Sequence, residues 1–287
     1  MSTPHADQDP VRRPIEELEK TLKREIYQAR NIQNRLLNGK KPTLSDGEIT
    51  GKSIPARVIG GDYFDFYTLP EGTIRIVIGD VMGKGIPAAM LMILTRGAFR
   101  SAAGKTKTPG ETLTAMNQAL YEDFRSLSSF VTVFCADWNP ATNEFVYANA
   151  GHTLPLLLKA NKEVKEVPKL NGVMLGGLYG QTYEERRIHI EAGDKVFFYT
   201  DGIIEAENKN GVQFTRDRLI DVLLSHPAQS VTEMEQSVID AVQAFTEGMP
   251  QKDDITMVIV RAGYGIQGCS RETVTSVEPS KVGNQHE

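Results

Sequence analysis

The chain has 287 residues, 40% of them hydrophobic, and a formal net charge of −5. That length buries a full core in one main domain, and the acidic balance argues against nucleic acid or an anionic membrane as the primary partner, since both call for a basic field. Two isolated cysteines, Cys135 and Cys269, make neither a disulfide framework nor a zinc site. With no secretion-type leader and no apolar run near the roughly 20 residues of a membrane span, a cytoplasmic protein off the membrane is expected.

Residues 1–13 are polar and proline-bearing and are expected to form a disordered lead. From Pro14, suited to a first helical turn, Ile15, Leu18, Leu22, Ile26, Ala29, Ile32 and Leu36 recur at spacings of three and four until Gly39 and Pro42. The pattern predicts one amphipathic helix over 14–42, either packed on its own domain or serving as a dimerising or partner-binding control element. Its seam approximates a heptad, but Glu25 interrupts it and Ile26 sits one position off, as in a marginal two-stranded coil.

Short strands are predicted around 53–60, 63–68 and 73–79, then a helix opening after "GKGIP" and a second after Pro109. The runs "FVTVFCADW", "EFVYANAGH" and "LPLLLKA" read as antiparallel strands in hairpins, followed by "YEERRIHIE" and "DKVFFYTDG" joined at "EAGD". Two helices, "RDRLIDVLLS" and "TEMEQSVIDAVQAF", precede a closing strand "ITMVIVR", and a polar tail is expected over 263–287. Strands, a helical pair, more strands, another helical pair and a last strand predict an α+β sandwich with central sheets and helices outside.

Aspartates stand where strands end or turns begin: Asp62 after Gly60-Gly61, Asp80 in "IGDVMGKG", Asp201 in "FYTDG", and Asp253-Asp254 in "QKDDITMV". A bare carboxylate beside a buried strand is costly, so each must be hydrogen-bonded, paired with a base, or bound to a cation. Four such positions without a matching set of arginines favour the cation, although each pair alone is ordinary turn chemistry. Oxygen donors without histidine or cysteine suit Mg²⁺ or Mn²⁺, two of which can share a carboxylate and activate a water between them.

In this order and spacing, "IPARVIGGDYFDF", "VIGDVMGKGIPAAMLM", "ANAGHTLPLL", "VFFYTDGIIEA" and "DDITMVIVR" resemble the metal-dependent PPM-type (protein phosphatase 2C-like) serine/threonine phosphatases. More narrowly they resemble the SpoIIE/RsbU-like branch, over residues 45–262. The resemblance implies an α-β-β-α sandwich of two antiparallel sheets flanked by helical pairs, with a dinuclear Mn²⁺ or Mg²⁺ centre at one end. Carried over, Asp62, Asp80 and the Val81 carbonyl would bind metal, Asp80 bridging, and Asp201 with Asp253 would complete the other site. Asp254 is the alternative within its adjacent pair; the family pattern prefers the first acid, and the second leads straight into the strand, where it can bond backbone.

The implied activity is hydrolysis of phosphoserine or phosphothreonine on a protein, in this branch an anti-sigma-factor antagonist of the STAS type within a partner-switching pathway. A homodimer and an upstream activator acting on the N-terminal helix are implied too. The alternatives are a general phosphoprotein phosphatase without the sigma-factor link and a non-catalytic binding module. A "GGDEF" cyclase hairpin would need a second acid where Tyr63 stands.

The sequence around Lys84 lacks the spacing of a nucleotide P-loop. Lys84 and Arg57 are candidates for holding substrate phosphate, although an odd offset on a regular strand would turn Arg57 away from Asp62 unless the glycines form a bulge. The glycines themselves are expected to let backbone approach a metal. His152 in "NAGH" reads as a hydrogen-bonded structural residue with a catalytic acid as the rival reading, and Cys135 reads as core.

Overall fold

The computed structural model describes residues 12–37, 41–44, 46–225 and 229–263. The lead expected over 1–13 and the tail over 263–287 lie outside them, apart from residues 12–13 and Gly263, as does Cys269. A long helix α1 (Arg12–Leu37) comes first, its described side chains exposed, except for half-buried Ile26, until the last turns, where Gln33 and Leu37 are buried. Strands β1 (Glu48–Ile54), β2 (Tyr63–Thr68) and β3 (Ile74–Val81) lead to helices α2 (Ile86–Ala103) and α3 (Pro109–Ser126). Six strands follow: β4 (Val131–Asn139), β5 (Glu144–Ala150), β6 (Leu156–Leu158), β7 (Val164–Glu166), β8 (Arg186–His189) and β9 (Lys195–Tyr199). Helices α4 (Thr215–Ser225) and α5 (Val231–Thr246) and strand β10 (Ile255–Arg261) close the domain.

Two antiparallel sheets result, in the orders β1-β10-β9-β6-β7 and β2-β3-β4-β5-β8. Strand residues alternate between faces, so each sheet buries apolar side chains on both. Ile74, Ile76 and Ile78 of β3 join Phe134, Trp138, Phe198 and Val258 between the sheets. Val77 and Val81 face the other way, onto Met92 and Phe99 of α2 and Leu113 and Met116 of α3. Phe197, Tyr199, Met257 and Ile259 pack likewise on Leu219 of α4 and Met234 and Val238 of α5. At about 1.5–3 kcal/mol for each large side chain buried, these three apolar layers hold four layers of secondary structure together. This is the α-β-β-α sandwich expected.

Three local readings need correction. The strand expected around 53–60 is β1, Glu48–Ile54, paired with β10, and residues 55–62 form a loop. Pro55 has no N–H to give a ladder, and the amides of Ala56, Gly61 and Asp62 donate to the Asp254 side chain instead. The runs before "AGHT" and "EAGD" do not form hairpins with those after them: β5 and β8 lie in one sheet, β6 and β9 in the other. Strand β7 was not legible, being three residues long at a sheet edge.

Candidate active site

Antiparallel pairing sets the start of one strand beside the end of its neighbour. Tyr63 at the start of β2 therefore pairs with Gly79 near the end of β3, and Met257 of β10 with Tyr199 at the end of β9. Asp62, Asp80, Asp201 and Asp253-Asp254 are all carried to one end of the sandwich. The two sheets meet there through Thr200, whose hydroxyl donates to the Asp62 carboxylate at 2.8 Å while accepting from the Thr256 amide at 3.0 Å. Asp62 is buried.

Crowding shows in the acidities. Burial, then the carboxylates of Asp201, Asp253 and Asp254, push Asp80 up to about 7. Asp62 is raised well above the carboxylate range by burial, then by Asp80 and Asp254, and Asp201 is raised by burial and Asp253. Carboxylates that raise one another's pKa are poorly compensated within the protein, and a divalent cation relieves that repulsion. The donor set is all oxygen, which fits Mg²⁺ or Mn²⁺. Among the described residues no three acidic, histidine or cysteine side chains draw close enough to hold one ion alone. An ion here would take one or two carboxylates and water for the rest, the habit of Mg²⁺.

The adjacent acids separate sharply. Asp254 is buried, and its two oxygens accept from the amides of Ala56 at 2.7 Å, Gly61 at 2.7 Å and Asp62 at 3.3 Å. Asp253 is half-exposed and pairs with the Lys84 ammonium at 2.7 Å, which also donates to the Lys252 carbonyl at 2.6 Å.

The glycine pair serves this clamp. A Cβ at Gly60 would stand 2.3 Å from an Asp254 oxygen, and one at Gly61 would meet the Ala88 methyl at 2.9 Å. The close approach expected toward a metal is thus an approach to a carboxylate and to helix α2. Arg57 lies in the loop, exposed, with its guanidinium over Gly85. The strand-offset argument therefore does not govern where it points.

His152 is buried, its Nδ1 2.8 Å from the Thr132 hydroxyl and its backbone N–H and carbonyl both bonded to the Asn149 amide group. Burial pulls its imidazole down to about 4, so it is neutral near pH 7 and has no readily released proton for a leaving group. This is the hydrogen-bonded role expected of it.

Four contributors escaped the sequence reading. Thr200 and Thr256 stand beside the acids in "YTDG" and "DDIT", and that adjacency was the available signal. Gln33 of α1 donates to the Gly60 carbonyl at 2.8 Å and accepts from its amide at 3.2 Å, pinning the helix to the Asp62 loop. Glu205 is raised by burial, Asp201 and Asp253. It borders a cleft of about 500 Å³ that runs from Lys84 and Asp253 along Val242 and Met249.

Similar proteins place this architecture. The chain is 30% identical over 244 residues to the phosphoserine phosphatase RsbU of Bacillus subtilis, covering 85% of this chain and 72% of that one. The SiaA-PP2C domain of Pseudomonas aeruginosa shares the fold, with TM-score 0.73 and 22% identity over 85% of this chain and 98% of that one. The RsbU and RsbW domains of a Mycobacterium tuberculosis protein align with TM-score 0.67 and 24% identity over 78% of this chain and 62% of that one. The family model described as Stage II sporulation protein E (SpoIIE) matches residues 70–263, the span that carries Asp80, Asp201 and Asp253. With that match over most of the domain and its sandwich built, the chain belongs to the SpoIIE family.

Proposed function

We propose that this chain is a Mn²⁺- or Mg²⁺-dependent phosphoserine/phosphothreonine protein phosphatase, acting on a phosphorylated anti-sigma-factor antagonist of the STAS type in a partner-switching pathway. The observation that carries the reading is the meeting of Asp62, Asp80, Asp201 and Asp253 at one end of the sandwich, where crowding raises the pKa of Asp62, Asp80 and Asp201, in a chain of this family. In the phosphatase domain, 45–262, Asp62, Asp80, the Val81 carbonyl, Asp201 and Asp253 are the residues that would hold the two ions, with water completing each. Such ions supply an activated water and positive charge for the phosphoryl oxygens. Asp253 is preferred to Asp254 as the ligand, a preference supported by the three backbone amides that already donate to the Asp254 carboxylate.

The chain's own residues then orient the substrate. Lys84, a neighbour of Asp253, and Arg57, over the turn before α2, supply cations for phosphate at the mouth of the site. Cys135 does not suit a covalent route, being buried in the core with its thiol pushed up by desolvation. The 14–42 segment, most of it in helix α1, is the dimerising and activator-responsive element, which its exposed apolar residues Ile15, Leu18, Leu22 and Ile32 support. The expected location is the cytoplasm.

The test offers the purified chain a phosphorylated anti-sigma antagonist and unrelated phosphoproteins, with Mn²⁺ and with chelator. Mn²⁺-dependent release of phosphate, faster from the antagonist, is the expected outcome. Asp80→Asn or Asp201→Asn should cut the rate by about 100-fold or more. Full activity in chelator would sink the metal reading, and equal rates on all phosphoproteins would sink the sigma-factor link.

A further inference from the structure

The "NAGH" run holds a buried side chain that the phosphatase reading does not use. Asp80 of β3 lies directly across the ladder from Thr132 of β4, which sets their side chains on one face with Cβ atoms about 5 Å apart. The Thr132 hydroxyl is a rotor, free to donate to any acceptor within reach. Here it meets His152 Nδ1 at 2.8 Å.

His152 is itself held rigidly. Its backbone N–H donates to the Asn149 side-chain oxygen at 2.9 Å, and its carbonyl accepts from the same amide at 3.0 Å. Gly151 before it has φ of 74°, and Gly172 packs so closely that a Cβ there would stand 1.8 Å from the Asn149 carbonyl oxygen. Nε2 is buried without a hydrogen-bond partner, and the Tyr199 carbonyl lies near enough to act on the ring. With the neutral ring's proton on Nε2, Nδ1 accepts from the Thr132 hydroxyl.

We propose that His152 is a positioning residue for the carboxylate centre, holding the Thr132 hydroxyl on its Nδ1 and so keeping that hydroxyl from donating to Asp80. A donor on Asp80 takes one of its roughly four lone-pair sites and draws charge from the carboxylate, so the aim of one hydroxyl bears on how well Asp80 serves a cation. The inference rests on the metal reading above. It assigns His152 a part in metal affinity rather than in proton transfer.

The test is calorimetric titration of the metal-free protein with Mn²⁺, with thermal unfolding as the check on folding. His152→Asn sets its amide near the place of Nδ1, keeps an acceptor for Thr132, and should bind Mn²⁺ as the parent does. His152→Gln places its amide near Nε2, frees the hydroxyl, and should weaken Mn²⁺ about tenfold. Adding Thr132→Val to His152→Gln removes the competing donor and should restore affinity. Gln and Asn variants with equal affinity, or no restoration by Thr132→Val, overturn the proposal. Should His152→Gln fail to fold, weakened Mn²⁺ binding in folded His152→Asn overturns it equally. A parent protein that binds no Mn²⁺ defeats the metal reading instead.

Discussion

Asp253 and Asp254 are chemical twins one peptide bond apart, and their surroundings give them opposite work. Three backbone amides converge on Asp254, and hydrogen bonds to an ionised acceptor are about twice as strong as neutral ones. Asp254→Asn turns an NH₂ toward at least one of those amides, so it should cost about 2–3 kcal/mol and lower Tm by roughly 5–10 °C in chelator. Asp253, in a half-exposed pair with Lys84, contributes little stability. Asp253→Asn should leave the chelator Tm within about 2 °C and weaken Mn²⁺ far more than Asp254→Asn does. Calorimetry showing the reverse order would reassign the ligand. Asp80 adds a pH signature. Its folded pKa, about 7, lies above the ordinary carboxylate value of 3.8, so the folded state holds that proton more tightly than the unfolded chain. The resulting stability is full below about pH 4 and is lost as pH rises through about 7. In metal-free protein, Asp80→Asn should therefore raise Tm at pH 8 by roughly 5 °C and make no difference near pH 4, as read by calorimetric scans.

At the scale of the element, helix α1 meets the rest of the domain mainly through its last turns. Leu37 is buried in the apolar layer that Tyr63 of β2 and Met92 of α2 share, and the Gln33 amide exchanges two hydrogen bonds with the backbone of Gly60, two residues before Asp62. Upstream, Ile15, Leu18, Leu22 and Ile32 are exposed, and such a stripe of apolar surface on one helix calls for a second surface. A partner gripping that stripe would reach the Asp62 loop through the Gln33–Gly60 hydrogen bonds. A fragment starting at Thr43 should accordingly lose most dimerisation and change its basal rate at matched Mn²⁺. Light scattering giving both forms the same number of subunits, with equal specific activities, would reduce α1 to a passive appendage.

The whole molecule depends on a polar tie within its apolar layers. Arg75 of β3, fully buried, makes two hydrogen bonds at 2.7 Å to Asp137 of β4. The same guanidinium donates to the Ala103 carbonyl and to Thr106 and Thr112, locking the α2–α3 connection onto the sheet. Removing one partner of a buried pair strands the other charge. Asp137→Ala should cost about 3–5 kcal/mol in urea unfolding, and Arg75→Met with Asp137→Leu should regain most of it. No recovery in the double variant would mean that the bonds to the α2–α3 connection, rather than the charge pair, carry the stability.

Alternation along strands, helical spacing and turn chemistry act over a few residues, so they were legible from the start: the order of elements, the sandwich, and acids at strand ends. The motif order pointed to the family for the same reason. Fold packing decided what joins residues far apart in the chain. Gly61 and Asp254, 193 positions apart, form one hydrogen bond, which moved the end of β1, explained the glycines and told the two final acids apart. Likewise "AGHT" read as a hairpin turn and "EAGD" as a joint between two strands, yet both carry the chain between sheets, because partner choice depends on which apolar faces find each other. The gathering of the carboxylates belongs to tertiary structure too. Local sequence places an acid at a strand end, but only the stacking of two sheets in register brings those ends, with their unrelieved charge, to one place.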